Sequence, residues 1–175
     1  MPATVEIEIL DARQLSFEID ALAEILRACV ADGASVGFLL PFDLTNARSY
    51  WGTVEPAVAR NATKLLVARL GGTIVGTVQL QIEMPANGQH RAEVAKLLVH
   101  PKERRQGIAR QLMDAIERLA VQYERNLLVL DTRLGDSAER LYRRLGWQTA
   151  GVIPKYALST GGVLCDTLLM FKTLV

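Results

Sequence analysis

Residues 97–110 read Leu-Leu-Val-His-Pro-Lys-Glu-Arg-Arg-Gln-Gly-Ile-Ala-Arg, the end of an apolar strand running into the first turn of a long helix. The charges of this segment oppose the field of that helix. A helix N-terminus carries partial positive charge and unpaired N–H groups, which favour acidic neighbours, yet Lys102, Arg104, Arg105 and Arg110 crowd it. A bound anion would relieve the conflict: N–H groups of the first turn would cradle a pyrophosphate, and Gly107 with the small Ala109 would let its oxygens approach the main chain. A solvated basic turn is the alternative. The Gly-Lys-Ser/Thr of a P-loop and the three-glycine spacing of a dinucleotide fingerprint are both missing.

Three other side chains are of the kind that moves protons. Glu93 lies on a strand, 91–99, whose period of two places it with Ala95, Leu97 and Val99; a carboxylate on such a face borders a cleft or ends in a salt bridge. Asp131 follows the apolar run 127–130, which reads as a strand buried on both sides, and ligands of parallel strands collect beyond the carboxyl ends. A loop cap is its other reading. Tyr142 shares the core side of its helix with Leu141 and Leu145, where a hydroxyl needs a partner. Side chains of these kinds could serve as base and acid in a proton transfer. His90 falls at a turn and His100 on the face opposite Glu93, so both read as structural; Arg140, Arg143 and Arg144 read as a solvated helix face.

The elements that position these residues follow from periodicity. Residues 4–10 alternate as a strand, 15–31 carry Phe17, Ile19, Leu22, Ile25, Leu26 and Val30 at helical steps, and 46–60 form a second helix around Trp51 and Pro56. A hairpin, 64–83, turns at Gly71-Gly72, and a further turn at 85–88 leads into 91–99. The helix 105–124 and the strand from 127 come next, then a helix opened by a capping box of Asp136 with Glu139 and stopped by Gly146. Strands 147–153 and 163–173 finish the chain. The expectation is one α/β domain with a mixed, mostly antiparallel sheet of about seven strands flanked by about four helices.

The spacing Arg104-x-x-Gly107-x-Ala109 after Val99-x-Pro101 resembles the coenzyme motif of the GNAT acetyltransferases, and Ala138-x-x-x-Tyr142 with Gly146-Trp147 is similar to their later signature. The resemblance implies acetyl-CoA as co-substrate. The motif loop, Arg104, Arg105, Gln106, Gly107, Ile108, Ala109 and Arg110, would hold the pyrophosphate, and the main chain of Leu98 and Val99 the pantetheine arm. Gly135 stands where the signature has Asn, so that hydrogen bond either comes from elsewhere, with Ser137 the candidate, or is absent. Five strings, 33–38, 91–94, 110–114, 130–132 and 171–174, further resemble the tabtoxin resistance family, enzymes that acetylate a β-lactam toxin. That likeness implies Glu93 and Asp131 as the groups that activate the acceptor, through water, and Tyr142 as the acid. Phe38 and Trp51 fall where such proteins line the acceptor pocket. A metabolite amine such as an amino acid or polyamine is the competing acceptor, and a sensor that binds acetyl-CoA without turnover the competing activity.

Composition limits the rest. In 175 residues with a net charge of +1 there is room for one core, and no excess of cations for a nucleic-acid backbone. Cys29 and Cys165 have neither metal-ligand spacing nor the density of a disulfide framework, so neither metal nor disulfide is expected. With no leader pattern and no apolar run of membrane length, the chain reads as cytoplasmic, a monomer or homodimer acting on a small-molecule acceptor.

Overall fold

The alternating residues at the start become β1 (Val5–Leu10) in the computed structural model, which describes residues 4–174. Two helices, α1 (Ala12–Phe17) and α2 (Ile19–Ala31), follow where a single one was expected. The break has a local cause. Asp11 Oδ1 accepts from the Gln14 N–H at 2.7 Å while Gln14 Oε1 accepts from the Asp11 N–H at 2.9 Å, a reciprocal cap that starts α1 ahead of Leu15. Glu18 then leaves helical geometry and turns its carboxylate to Arg69, 2.8 Å away. Phe17, expected on the buried face, is 88% exposed at that corner.

A second reciprocal cap, Asp43 with Asn46, opens α3 (Leu44–Ala59), which runs through Pro56. The chain continues as β2 (Thr63–Leu70), β3 (Thr73–Gln81), β4 (Arg91–Val99), α4 (Ile108–Gln122), β5 (Leu127–Arg133), α5 (Ser137–Arg144), β6 (Gln148–Leu158) and β7 (Leu164–Thr173). One seven-stranded sheet results, in the order β1-β2-β3-β4-β5-β7-β6, with β4 and β5 its parallel pair. The α/β class and mixed sheet are as read from the sequence, with five helices rather than four. No helix among the described residues is long and apolar enough to cross a membrane.

Both faces of the sheet are covered over β2 and β3, which explains why these strands are apolar on both sides. Leu66, Ala68, Val78 and Leu80 pack with Leu112, Met113 and Ile116 of α4; Leu65 and Val67 pack with Leu22, Leu26 and Trp51 on the other face. The capping box expected for α5 does not form. Asp136 is drawn to Arg133 at 2.8 Å, and Glu139 instead accepts from the Gly135 N–H at 2.6 Å.

The period of two fails on β4, and the failure matters for the site. The register against β3 shifts between Thr77 and Gln79, and Lys96 takes a left-handed φ of 52°. An inserted residue of this kind reverses which side chains face which side. Ala92 and Val94 belong to the α4 core, but beyond the bulge so does Val99, with Leu97 packed against it, while Leu98 joins the opposite core. Glu93 therefore shares a face with Ala95 and not with Leu97 and Val99.

The first turn of α4 lies tightly over β3 and β4 at Gly76. A Cβ there would meet Leu98 O at 3.0 Å, Leu112 Cδ1 at 3.1 Å and Ile108 Cγ2 at 3.3 Å. Gly76→Val should destabilise the fold by about 1–3 kcal/mol through overpacking, read as a lower urea midpoint at unchanged slope. A midpoint equal to that of the unmodified protein would show that α4 is not held at this contact.

Candidate active site

The parallel pairing of β4 with β5 consists of Arg91↔Leu127, Ala92↔Leu128 and Glu93↔Val129. Past Glu93 the bulge bends β4 away and the strands part, so the first proton-moving candidate stands where the cleft opens. Asp131, two residues beyond Val129, projects from the same side of β5. It lies inside β5, which runs to Arg133 and is held on its other edge by β7 through Asp131↔Leu169, rather than in a loop beyond the strand. The strand is also not buried on both sides: Leu128 and Leu130 are buried, whereas Val129 and Asp131 face the opening.

The sequence-predicted proton carriers are brought together. Burial pushes the Glu93 carboxyl above its ordinary range, the nearby Asp131 carboxylate adds to this, and Lys96 opposes both. Tyr142 is buried in α5, and its hydroxyl is raised far above the usual tyrosine value first by burial and then by Asp131, so it keeps its proton at neutral pH. Among the described residues no side-chain hydrogen bond engages that hydroxyl. Its ring lies 5.9 Å from Trp147, whose Nε1 donates to Glu117 at 3.2 Å. Lys172 Nζ donates to both Glu117 Oε2 and Leu145 O at 2.7 Å, pinning the corner behind α5.

Lys96 is a member of the cluster that sequence reasoning missed. Burial lowers its ammonium pKa, while Asp131 and Glu93 act in the opposite direction. A lone lysine in a strand looks like a solvated side chain, and the bulge that turns it inward has no mark in the sequence. Lys96 Nζ sits 5.8 Å from the Phe38 ring centroid and 5.6 Å from that of Tyr50.

At the coenzyme end, residues 101–107 wind from β4 into α4, with Arg105 and Gly107 both left-handed. No side chain caps α4. A Cβ built on Gly107 meets nothing within 4 Å, so the space over this helix end is open. Arg104 is a correction to the sequence reading: its guanidinium turns back to Asp32 and, at 3.3 Å, to Val99 O, so its side chain clasps α2 to β4 and does not face the helix end. Gln106 bonds to Glu103, and Arg110 lies 3.7 Å from Asp114. Lys102 and Arg105 have no ion-pair partner among the described residues, leaving uncompensated positive charge beside the uncapped turn. Leu98 and Val99 are buried below it, Ile108 is buried and Ala109 half-buried, and Ser137 is exposed at the start of α5.

At the other end, Phe38 meets Tyr50 edge-on at 5.2 Å between ring centroids, and Tyr50 meets Trp51 edge-on at 5.2 Å. Trp51, expected to line an acceptor pocket, is 0% exposed and belongs to the α2–α3 core. Tyr50 holds the accessible position instead. Its oxygen accepts from Gln79 Nε2 at 2.9 Å, and burial raises its hydroxyl pKa to about 12. Tyr50, Thr53, Thr63, Gln79, Gln81 and Glu83 line a polar cavity of about 290 Å³. Gln81 pairs with Glu93 and Gln79 with Ala95, and directly opposed residues share a face, so this wall continues into the site.

Residues 21–147 match the profile of the acetyltransferase (GNAT) family. The chain belongs to that family. Ribosomal-protein-alanine N-acetyltransferase from Brucella melitensis is similar over 97% of this chain and 99% of its own, at 23% identity and a TM-score of 0.77. YncA from Salmonella typhimurium, solved with its cofactor acetyl-CoA, is similar over 99% and 95%, at 18% identity and a TM-score of 0.78. An N-acetyltransferase from Staphylococcus aureus Mu50 is similar over 99% and 100%, at 17% identity and a TM-score of 0.80. The protein is thus a GNAT acetyltransferase.

The geometry of this GNAT site yields two expectations. Gly107→Val should cost roughly 1–2 kcal/mol of stability because φ is 77°, and should also weaken acetyl-CoA binding by filling the space over the helix end. Calorimetric titration of the folded variant checks this; unchanged affinity removes the loop from the coenzyme site. The second concerns Glu93. A carboxyl whose pKa is raised by folding stabilises the protein below its unfolded pKa, and that contribution is lost as pH rises through the folded value. Glu93→Gln should therefore raise the melting temperature at pH 7 and lose that advantage near pH 4. A lower melting temperature at pH 7 would mean that Glu93 is held by a favourable contact.

Proposed function

We propose that this GNAT enzyme transfers acetyl directly to an amine or hydroxyl of a small molecule, with Glu93 and Asp131 as the base and Tyr142 as the acid. The observation that carries this reading is the convergence of the three groups where β4 and β5 part. The coenzyme end fits acetyl-CoA on this chain's own features: an uncapped fifteen-residue helix, open space over Gly107, and the free cations Lys102 and Arg105. Those groups, with the main chain of Gln106, Ile108, Ala109 and Arg110, would hold the pyrophosphate. The unpaired edge of β4 at Leu98 and Val99 would hold the amide-bearing arm as an added strand would be held, and Ser137 would donate to it from the start of α5.

Acetyl-CoA supplies the acetyl group as a reactive thioester. Glu93 and Asp131 take the proton from the acceptor nitrogen or oxygen, directly or through a water between them. The raised Glu93 pKa brings that base nearer to neutrality, where a general base is most effective. Tyr142 keeps its proton until the sulfur departs and donates it there. Phe38 and Tyr50 bound the acceptor, and the polar cavity beside them suits a small molecule. The strings shared with the tabtoxin resistance family support a β-lactam toxin, and hence resistance, as the role; an ordinary amino acid or polyamine competes for the same site. Structural relatives below 25% identity speak to the fold, so the acceptor must be argued from the residues here.

The test is thiol release with acetyl-CoA over amines, amino acids and β-lactam amines. Asp131→Asn and Glu93→Gln should each lower turnover by about a hundred- to ten-thousand-fold while sparing acetyl-CoA affinity, and Tyr142→Phe should lose less unless sulfur departure limits the rate. Because Glu93 titrates high, Glu93→Gln should also shift the acidic limb of the kcat/KM profile to lower pH. Near-normal turnover in both carboxamide variants would sink the assignment.

A further inference from the structure

Lys96 is left without a task by the transfer chemistry. Its backbone is left-handed, a conformation that costs a non-glycine residue on the order of 1–2 kcal/mol. Its stem is half-buried, and the ammonium lies against the faces of Phe38 and Tyr50. Gly37 backs the same spot, since a Cβ there would stand 3.9 Å from Nζ. No carboxylate lies within 4.0 Å of it, and it donates no hydrogen bond among the described residues, although Glu93 and Asp131 are near enough for their fields to be felt. A charged head removed from water is ordinarily paired. This one has only the weaker attraction of two rings.

We propose that Lys96 anchors an anionic group of the acceptor, a carboxylate, so that the enzyme selects amino-acid-like zwitterions whose amine is presented to Glu93 and Asp131. This deepens the reading above and rests on it. The two ends of the site carry opposite charge: two carboxylates on β4 and β5, and one ammonium between the aromatic rings. A simple amine would satisfy the carboxylates and leave Lys96 unpaired, whereas a simple carboxylate would do the reverse and meet two like charges. A zwitterion adds no net charge and pairs with both. The Phe38 and Tyr50 faces hold the lysine head in place before the acceptor arrives, which reduces the ordering cost of binding. The Tyr50 hydroxyl, whose oxygen already accepts from Gln79, has its own proton free to donate to the same carboxylate.

The experiment compares free amino acids with their carboxamides as acceptors, in the unmodified enzyme and in Lys96→Met and Lys96→Arg. The unmodified enzyme should prefer the free acids in kcat/KM, mainly through KM. In Lys96→Met that preference should fall on the order of ten- to a hundredfold, the range for a lost hydrogen bond between charged groups; Lys96→Arg should recover part of it. Equal preference in the unmodified enzyme and Lys96→Met, or no preference for the acids at all, overturns the anchor. A second arm does not depend on turnover. N-acetylated amino acids should raise the melting temperature of the CoA-loaded enzyme more than their carboxamides do, and Lys96→Met should abolish the difference. If neither acceptor class releases thiol but this difference is present, the anchor stands and the transfer reading fails. If acetylation proceeds and the difference is absent from both arms, the anchor fails and the transfer reading stands.

Discussion

A buried backbone N–H or C=O must be hydrogen-bonded, and in a sheet the neighbouring strand normally supplies the partner. Between β4 and β5 that supply stops at Glu93↔Val129, in the middle of a sheet whose other neighbours run in long ladders. The rest of the molecule depends on this gap. It opens because one inserted residue at Lys96 bends β4, and it leaves strand edges facing each other without contact. An extended ligand with amide groups could pair with such edges as a strand does. The proposed arm of acetyl-CoA is of that kind, which explains why one defect in the ladder would deliver a thioester beside Glu93 and Asp131.

A gap of this sort tends to close unless its sides are braced separately. On the β4 side, α4 presses on β3 and β4 at Gly76, where no larger side chain fits, and Arg104 ties the strand end at Val99 O to Asp32 of α2. The β5 side hangs from β7, paired over seven residues from Leu127↔Thr173 to Arg133↔Thr167. Lys172 of β7 then reaches Glu117 of α4 and Leu145 O behind α5, which carries Tyr142. Tyr142 is thereby referenced to both walls through rigid elements. Placement of an acid relative to a base about 0.5 Å off the productive geometry is costly, and on the β5 side the bracing runs through β7 and α4.

The sequence disclosed what periodicity and local chemistry encode. The basic turn at Gly107 and nearly every element were legible because alternating strands, amphipathic helices and a basic turn at a helix start leave marks within a few residues, whereas Glu93, Asp131 and Tyr142 were singled out as a set through the GNAT resemblance. What escaped depends on partners distant along the chain. The break at Glu18 needs Arg69, the turning away of Arg104 needs Asp32, and the failed cap at Asp136 is decided by competition with Arg133. Trp51 was expected at the acceptor pocket from the family resemblance, but Tyr50 and Trp51 are adjacent on one helix, and only the packing of α2 and α3 decides which of them is enclosed. The bulge was the costliest omission, since it hid Lys96 and misplaced the face of Glu93.

The same bulge explains why a charged cluster is tolerated inside an apolar fold. Glu93 and Lys96 lose hydration, and both are shifted toward their neutral forms by that loss. Were the strand regular, hydrophobic residues would fill this position at less cost. A left-handed lysine and two carboxylates held near each other occur together in one place, while the clusters on either side of the sheet are built from apolar side chains. Local rules of stability are broken where groups must be ready to change partner or protonation state. A bound acceptor and thioester would pair with these groups at once, which favours a ligand that carries the complementary charges.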